Sequence, residues 1–288
     1  MVRLTKKQSG TQFLLQPVQE YSETRLPYYG ANYRQYDPSG FDDCFPTIGA
    51  SLCPTKNHNG QVAAIHFPDH GELWGIPWNY HISEKSVHLS VRGVRFDYEF
   101  SKTIRLEHET LHIGYQLINL SNSPLVYLWS AQPLLEIQTG SQILFNNKVQ
   151  KVMLDWTTDA ERGQSGDRLP WPWLSGYGGI NYARIPSPEC SYAMKFYTDA
   201  LATEYCGYMR SDTGEKLMIE FDPEQIPYVG ILLWYNGGSN VPGQVSSTIA
   251  LQPSTGRPDS LHQAYIRNEY AELNAFGMKE WSLRISLI

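Results

Sequence analysis

Charge is scarce in this sequence. Asp, Glu, Lys and Arg make up 18% of its 288 residues, against about a quarter in ordinary soluble domains. The formal net charge is −6, and no run of Lys or Arg forms a basic stripe. Nucleic acid is therefore not an expected partner. Long hydrophobic runs are missing too. None approaches the roughly 18 residues of a membrane-spanning helix, so no membrane partner is expected. The start, "MVRLTKKQSG", is basic, but the following "TQFLLQPVQE" is too polar for the core of a signal peptide. A cytoplasmic location is the expectation. The four cysteines, Cys44, Cys53, Cys190 and Cys206, contain no CxxC spacing and read as reduced thiols, neither a zinc site nor a disulfide framework. There is no GxSxG elbow, P-loop or GxGxxG turn. The glycine-rich "GYGGI" at 176–180 lies in a tryptophan-rich loop, not between a strand and a helix, and does not read as a phosphate cradle. Nothing calls for a cofactor.

Short apolar runs are what the chain does have. In "HLSVRGVRFDYEF" (88–100) apolar and polar residues alternate, with Gly93 as a bend or bulge. "TLHIGYQLINLSNSPLVYLWSAQPLLEI" reads as two strands joined by a turn-rich "NLSNSPL". "LMIEFDP", "VGILLWYN", "STIALQPSTG" and "KEWSLRISLI" add further strands. Tyr (19) and Trp (8) are abundant and suit pleated, half-buried surfaces. Helix signals are few; "PDSLHQAYIRNEYAEL" (258–273) supports a turn or two. With 23 Gly and 18 Pro as punctuation and no repeat or linker, the reading is a single all-β sandwich over 1–288. The loop 157–182 has no periodicity. Its Trp171 and Trp173 fit either a lid over a site or a surface loop packed on the sandwich.

"AIHFPDHGELWGIPW" (64–78) is the densest chemical stretch. His66, Asp69, His70 and Glu72 are ligand types, but Pro68 rules out a shared helical face, and no metal is expected. Gly71 permits a tight turn beside His70. Trp74 and Trp78 next to polar groups suit a sugar, whose rings have apolar faces and polar rims. His108 and His112 read as a solvated strand face. Two strands end on an amide: Gln132 in "LWSAQPLLEI" and Gln252 in "IALQPSTGRPDSL".

The order of "FDDCFPTIG", "FPDHGELWGIPW", "YQLINLSNSPLVYLWSAQPLL", "VGILLWYN" and "IALQPSTGRPDSL" resembles the aldose 1-epimerase, or galactose mutarotase-like, family. The resemblance runs from about residue 40 to the end; residues 1–40 do not match clearly. It implies a β-supersandwich of two large, mostly antiparallel sheets and a small-molecule sugar as partner. In that family a glutamate removes the anomeric proton, a histidine protonates the ring oxygen, and a second histidine in an "HG" turn holds the sugar. The HG histidine falls on His70, the acid position on Gln132 and the base position on Gln252. Asp43, Trp74, Trp129 and Trp173 join these three as candidate sugar contacts. A carboxamide hydrogen-bonds but does not titrate near neutrality. Glu136, ~13 Å along a regular strand from Gln132 at about 3.3 Å per residue, is too far to substitute for it. The expectation is a sugar-binding protein without normal mutarotase activity. The alternatives are an isomerase or lyase using His70 and a tyrosine as proton carriers, or a sandwich with a vestigial pocket.

Overall fold

The computed structural model describes residues 1–17, 27–33, 36, 39–56, 62–174, 179–236 and 247–288. The calls on 18–26, on the 175–178 part of the central loop and on the other undescribed positions lie outside them. In chain order the strands are β1 (Phe41–Cys44), β2 (Ser51–Lys56), β3 (Val62–Phe67), β4 (Asn79–Ile82), β5 (Ser86–Arg92), β6 (Tyr98–Glu107) and β7 (Thr110–Asn119). Then come β8 (Leu125–Tyr127), β9 (Ser130–Leu135), β10 (Gln142–Leu144), β11 (Lys151–Thr157), β12 (Arg168–Pro170), β13 (Trp173–Leu174) and β14 (Ile180–Asn181). The chain closes with β15 (Tyr192–Thr198), β16 (Tyr205–Met209), β17 (Lys216–Phe221), β18 (Tyr228–Tyr235), β19 (Ser247–Ser254), the helix α1 (Leu261–Arg267), β20 (Ala271–Leu273) and β21 (Met278–Leu287).

Two large sheets hold most of these strands. One has seven strands in the order β1-β9-β19-β18-β15-β11-β12; the other has eight, β10-β16-β17-β21-β7-β6-β5-β4. The neighbours pair antiparallel, as in β1 with β9, β18 with β19 and β6 with β7. The architecture is a mostly antiparallel β-sandwich, as the alternation of apolar and polar residues requires. Period-two side chains explain where the core sits. Ala131 and Leu135 on β9, Ile249 and Leu251 on β19, and Met194 and Phe196 on β15 all enter the main core between the sheets. Their alternate neighbours Gln132, Gln252, Lys195 and Tyr197 must then face the opposite side of the seven-stranded sheet.

That opposite side is covered by a second, smaller core of Cys44, Ile48, Cys53, Phe67, Leu128, Tyr197, Leu261 and Ala264. The helix is seven residues long, about the turn or two that the 258–273 stretch supports. Ser260 caps its start by accepting from Gln263 N, and Asn268, in the left-handed region at φ 56°, ends it. The central loop is partly ordered by pairing: β12 joins β11, and β13 with β14 forms a hairpin. Trp171 packs edge-on against Phe145 and Phe196, so this loop tryptophan seals the sandwich; Trp173 is exposed. No described helix is long and apolar enough to cross a membrane.

Candidate functional site

Strand register builds the floor of the site. Asp42 stands opposite Gln132, Gly230 opposite Gln252, and Tyr197 opposite Gly230. The pairs Ala250–Leu134 and Ser254–Ser130 bracket the two glutamines, so these face each other across β9 and β19. One row of side chains thus crosses five strands. Gly230 is the gap in that row. A Cβ there would lie 3.0 Å from Lys195 Cε and 3.2 Å from Gln252 Oε1. The glycine lets the lysine from β15 reach across β18 to the glutamine on β19.

The amides are joined. Gln252 Nε2 donates to Gln132 Oε1 at 2.8 Å, and Cys44 Sγ donates to the same oxygen at 3.2 Å. Lys195 Nζ donates to Gln252 Oε1 and lies 3.0 Å from Asp259 Oδ1. Tyr197 OH donates to Asp259 Oδ1 at 2.5 Å, and Trp156 Nε1 to Asp259 Oδ2 at 3.4 Å. At the other end, Gln132 Nε2 meets His70 Nε2 at 2.7 Å. Gln132, Gln252 and Lys195 are all buried, at 3%, 1% and 2% exposure. Such burial of amides and an ammonium is tolerated because each has partners.

His70 is placed by backbone geometry. Its own φ is 65° and that of Gly71 is 72°, both left-handed. A Cβ on Gly71 would sit 2.1 Å from Phe45 O, so only glycine lets the turn close onto the end of β1. His70 N donates to Ile48 O at 2.9 Å, and Gly49 N donates to Asp259 O at 2.8 Å. These bonds tie the histidine turn to the Asp259 turn. Tyr33 stacks on the imidazole with ring centroids 3.7 Å apart, and Trp74 meets Tyr33 edge-on at 5.1 Å. His70 Nδ1 lies 3.2 Å from Asp69 Oδ2, out of line for a hydrogen bond.

The electrostatics follow from burial. The Tyr33 hydroxyl is pushed well above its ordinary range, chiefly by burial and then by Asp42, while a Gln132 hydrogen bond acts the other way. The Tyr197 hydroxyl is raised by burial and by Asp259 and Asp155. Asp155, whose Oδ2 accepts from Asp259 N at 3.2 Å, has its carboxyl pushed up to about 7, first by burial and next by the Asp259 charge.

Of the sequence candidates, the structure brings His70, Gln132 and Gln252 into direct contact and sets Trp74 beside them through Tyr33. Asp43 and Trp129 are not on this face. Asp43 lies between the sheets, accepting from Lys102 Nζ at 2.7 Å and Trp129 Nε1 at 3.3 Å, because odd and even positions of β1 and β9 point oppositely. Trp173 is on the β13–β14 hairpin with no described contact to the floor. Glu136 follows the end of β9 and lies 4.0 Å from Arg210. Glu72 is a structural anchor: it accepts from Val94 N, Arg95 N and Tyr98 OH. His112 lies 3.4 Å from Glu107. Lys195, Tyr197, Tyr33, Asp155 and Asp259 were missed. Lys195 carried a signal: in "YAMKFYT" a lone lysine interrupts an apolar strand, and lysine is almost never fully buried without a partner.

No known family model matches the chain, and it has no match among curated proteins. Solved structures do resemble it. A putative aldose 1-epimerase from Escherichia coli K12 superposes with a TM-score of 0.66 at 14% identity, over 87% of this chain and 84% of that one. A galactose mutarotase-like protein from Clostridium acetobutylicum gives 0.66 at 11% identity over 100% and 88%. A galactose mutarotase-like protein from Lactobacillus casei gives 0.62 at 12% identity over 99% and 92%. The fold is that of the galactose mutarotase-like β-sandwiches.

Proposed function

We propose that this protein binds a sugar at the His70–Gln132–Gln252 floor and does not interconvert its anomers. One observation carries the reading: Gln252 donates to Gln132 at 2.8 Å, so the facing positions of β9 and β19 hold two amides bonded to each other. Neither gains or loses a proton near neutrality. Fold neighbours described as aldose 1-epimerase or mutarotase-like support a sugar as the ligand class. The aromatic wall of Tyr33 and Trp74 supports it too, with the partly exposed His70 beside it. The test combines two measurements. A thermal-shift series with neutral hexoses shows stabilisation that grows with concentration. Polarimetry on freshly dissolved α-glucose and α-galactose shows mutarotation at the buffer rate. Catalytic acceleration sinks the reading.

A second reading, an isomerase or lyase working in the same pocket, is favoured by the Asp155 carboxyl, which titrates near neutral pH beside Asp259, Lys195 and Tyr197. It requires turnover of a sugar with a pH profile that Asp155→Asn abolishes.

A further inference from the structure

The floor contains three groups whose hydrogen-bond direction is ambiguous taken singly. Two carboxamides can each face either way, and an imidazole can carry its proton on either nitrogen. Their neighbour Lys195 has no such freedom, because an ammonium only donates. With Lys195 Nζ against it, the Gln252 atom must be the oxygen, Oε1. The Gln252 nitrogen then faces Gln132 and needs an acceptor, which must be Gln132 Oε1, at 2.8 Å. The Gln132 nitrogen is thereby turned to His70, and at 2.7 Å it needs a lone pair on Nε2. A neutral His70 must then hold its proton on Nδ1, the nitrogen 3.2 Å from Asp69 Oδ2.

We propose that Lys195 is the positioning residue of this site: it sets the polarity of both amides and, through them, the tautomer of His70. The donor direction runs one way, from Lys195 through Gln252 and Gln132 to the imidazole. The lone pair of Nε2 is consumed inside the protein, so His70 offers a ligand no acceptor there, and its N–H lies on the buried Nδ1 beside Asp69. Lys195 is itself held by Asp259 Oδ1 at 3.0 Å, and the Gly230 gap is what admits it. The assignment does not depend on which ligand the site takes.

The test reads the tautomer directly. Imidazole ¹⁵N NMR on the full chain, in the pH range where the His70 ring is neutral, separates protonated from unprotonated ring nitrogens. His70 is assigned by the signals lost in His70→Gln. The expected wild-type result is Nδ1–H with Nε2 unprotonated. Gln252→Glu reverses the chain. A carboxylate only accepts, so Gln132 turns its nitrogen to Glu and its oxygen to His70, and the ring switches to Nε2–H. Lys195→Arg keeps a donor and the wild-type tautomer, whereas Lys195→Met gives a mixture. Should Lys195→Met fail to fold, Gln252→Glu, which gives the ammonium a carboxylate partner, still decides. An Nε2–H ring in the wild type overturns the proposal, as does an unchanged tautomer in Gln252→Glu.

Discussion

Two lysine–aspartate pairs lie on opposite faces of the seven-stranded sheet, and they differ in what surrounds them. Lys102 and Asp43 meet at 2.7 Å between the sheets. Their neighbours are aromatic: Trp129 Nε1 donates to Asp43, and the ammonium sits 5.0 Å over the Trp78 ring. Lys195 and Asp259 meet at 3.0 Å on the other face. Their neighbours are polar or titratable: Gln252, Tyr197 and Asp155. The inner aspartate side chain is 2% exposed and the outer one 21%. The inner pair stitches one sheet to the other and can do nothing else. The outer pair is joined to a polar network that reaches partly exposed carboxylates, Asp259 itself and Asp155. An ion pair alone does not mark a site; its second ring of neighbours does.

Three variants probe that contrast, beginning with the largest effect. Placing titratable groups on the outer face, as Gln132→His with Gln252→Glu, is expected to raise anomer interconversion about 10²- to 10⁴-fold over the wild type, followed by polarimetry. A double variant no faster than buffer shows that the face lacks more than its two proton carriers. On the inner face, Lys102→Met leaves the Asp43 carboxylate buried and unpaired, which costs about 3–5 kcal/mol in urea unfolding. The His70 tautomer in that variant stays as in the wild type; a change would couple the two faces and break the comparison. Gly71→Ala is smaller, about 2 kcal/mol, since a Cβ at φ 72° collides with Phe45 O. It acts on the outer face, and the sugar-dependent thermal shift is expected to vanish with it. A retained shift means that His70 is not a ligand contact.

Local pattern and order of motifs made much of this legible. Alternation gave the strands, and the HG turn and the two amides pointed to three residues that do meet, although both amides lie within their strands and not at the ends. What stayed hidden depended on the face. Asp43 sits one residue from Asp42, yet a strand sends the two to opposite sides, and no motif says which side is the site. Trp129 was misplaced toward the pocket for the same reason. Lys195 and Asp259 come from strands and turns distant in sequence, and only the cross-strand row through Gly230 brings them together. Long-range register of that kind leaves no local trace in a single sequence.

The smallest expected effect concerns pH. The Asp155 carboxyl, near 3.9 when unfolded, is pushed up to about 7 in the fold, by burial first and by Asp259 next, with Lys195 and Arg267 opposing. Its neutral form is the one the fold prefers. That contribution is fully present below about pH 4 and is lost as pH rises through about 7. Asp155→Asn keeps a neutral carbonyl to accept from Asp259 N, so it holds the same shape at every pH. The melting temperature of the variant is expected to match the wild type near pH 4 and to exceed it by a few degrees at pH 8. Melting curves across that range test it. A difference independent of pH means that Asp155 does not titrate there, and the outer pair is then as inert as the inner one.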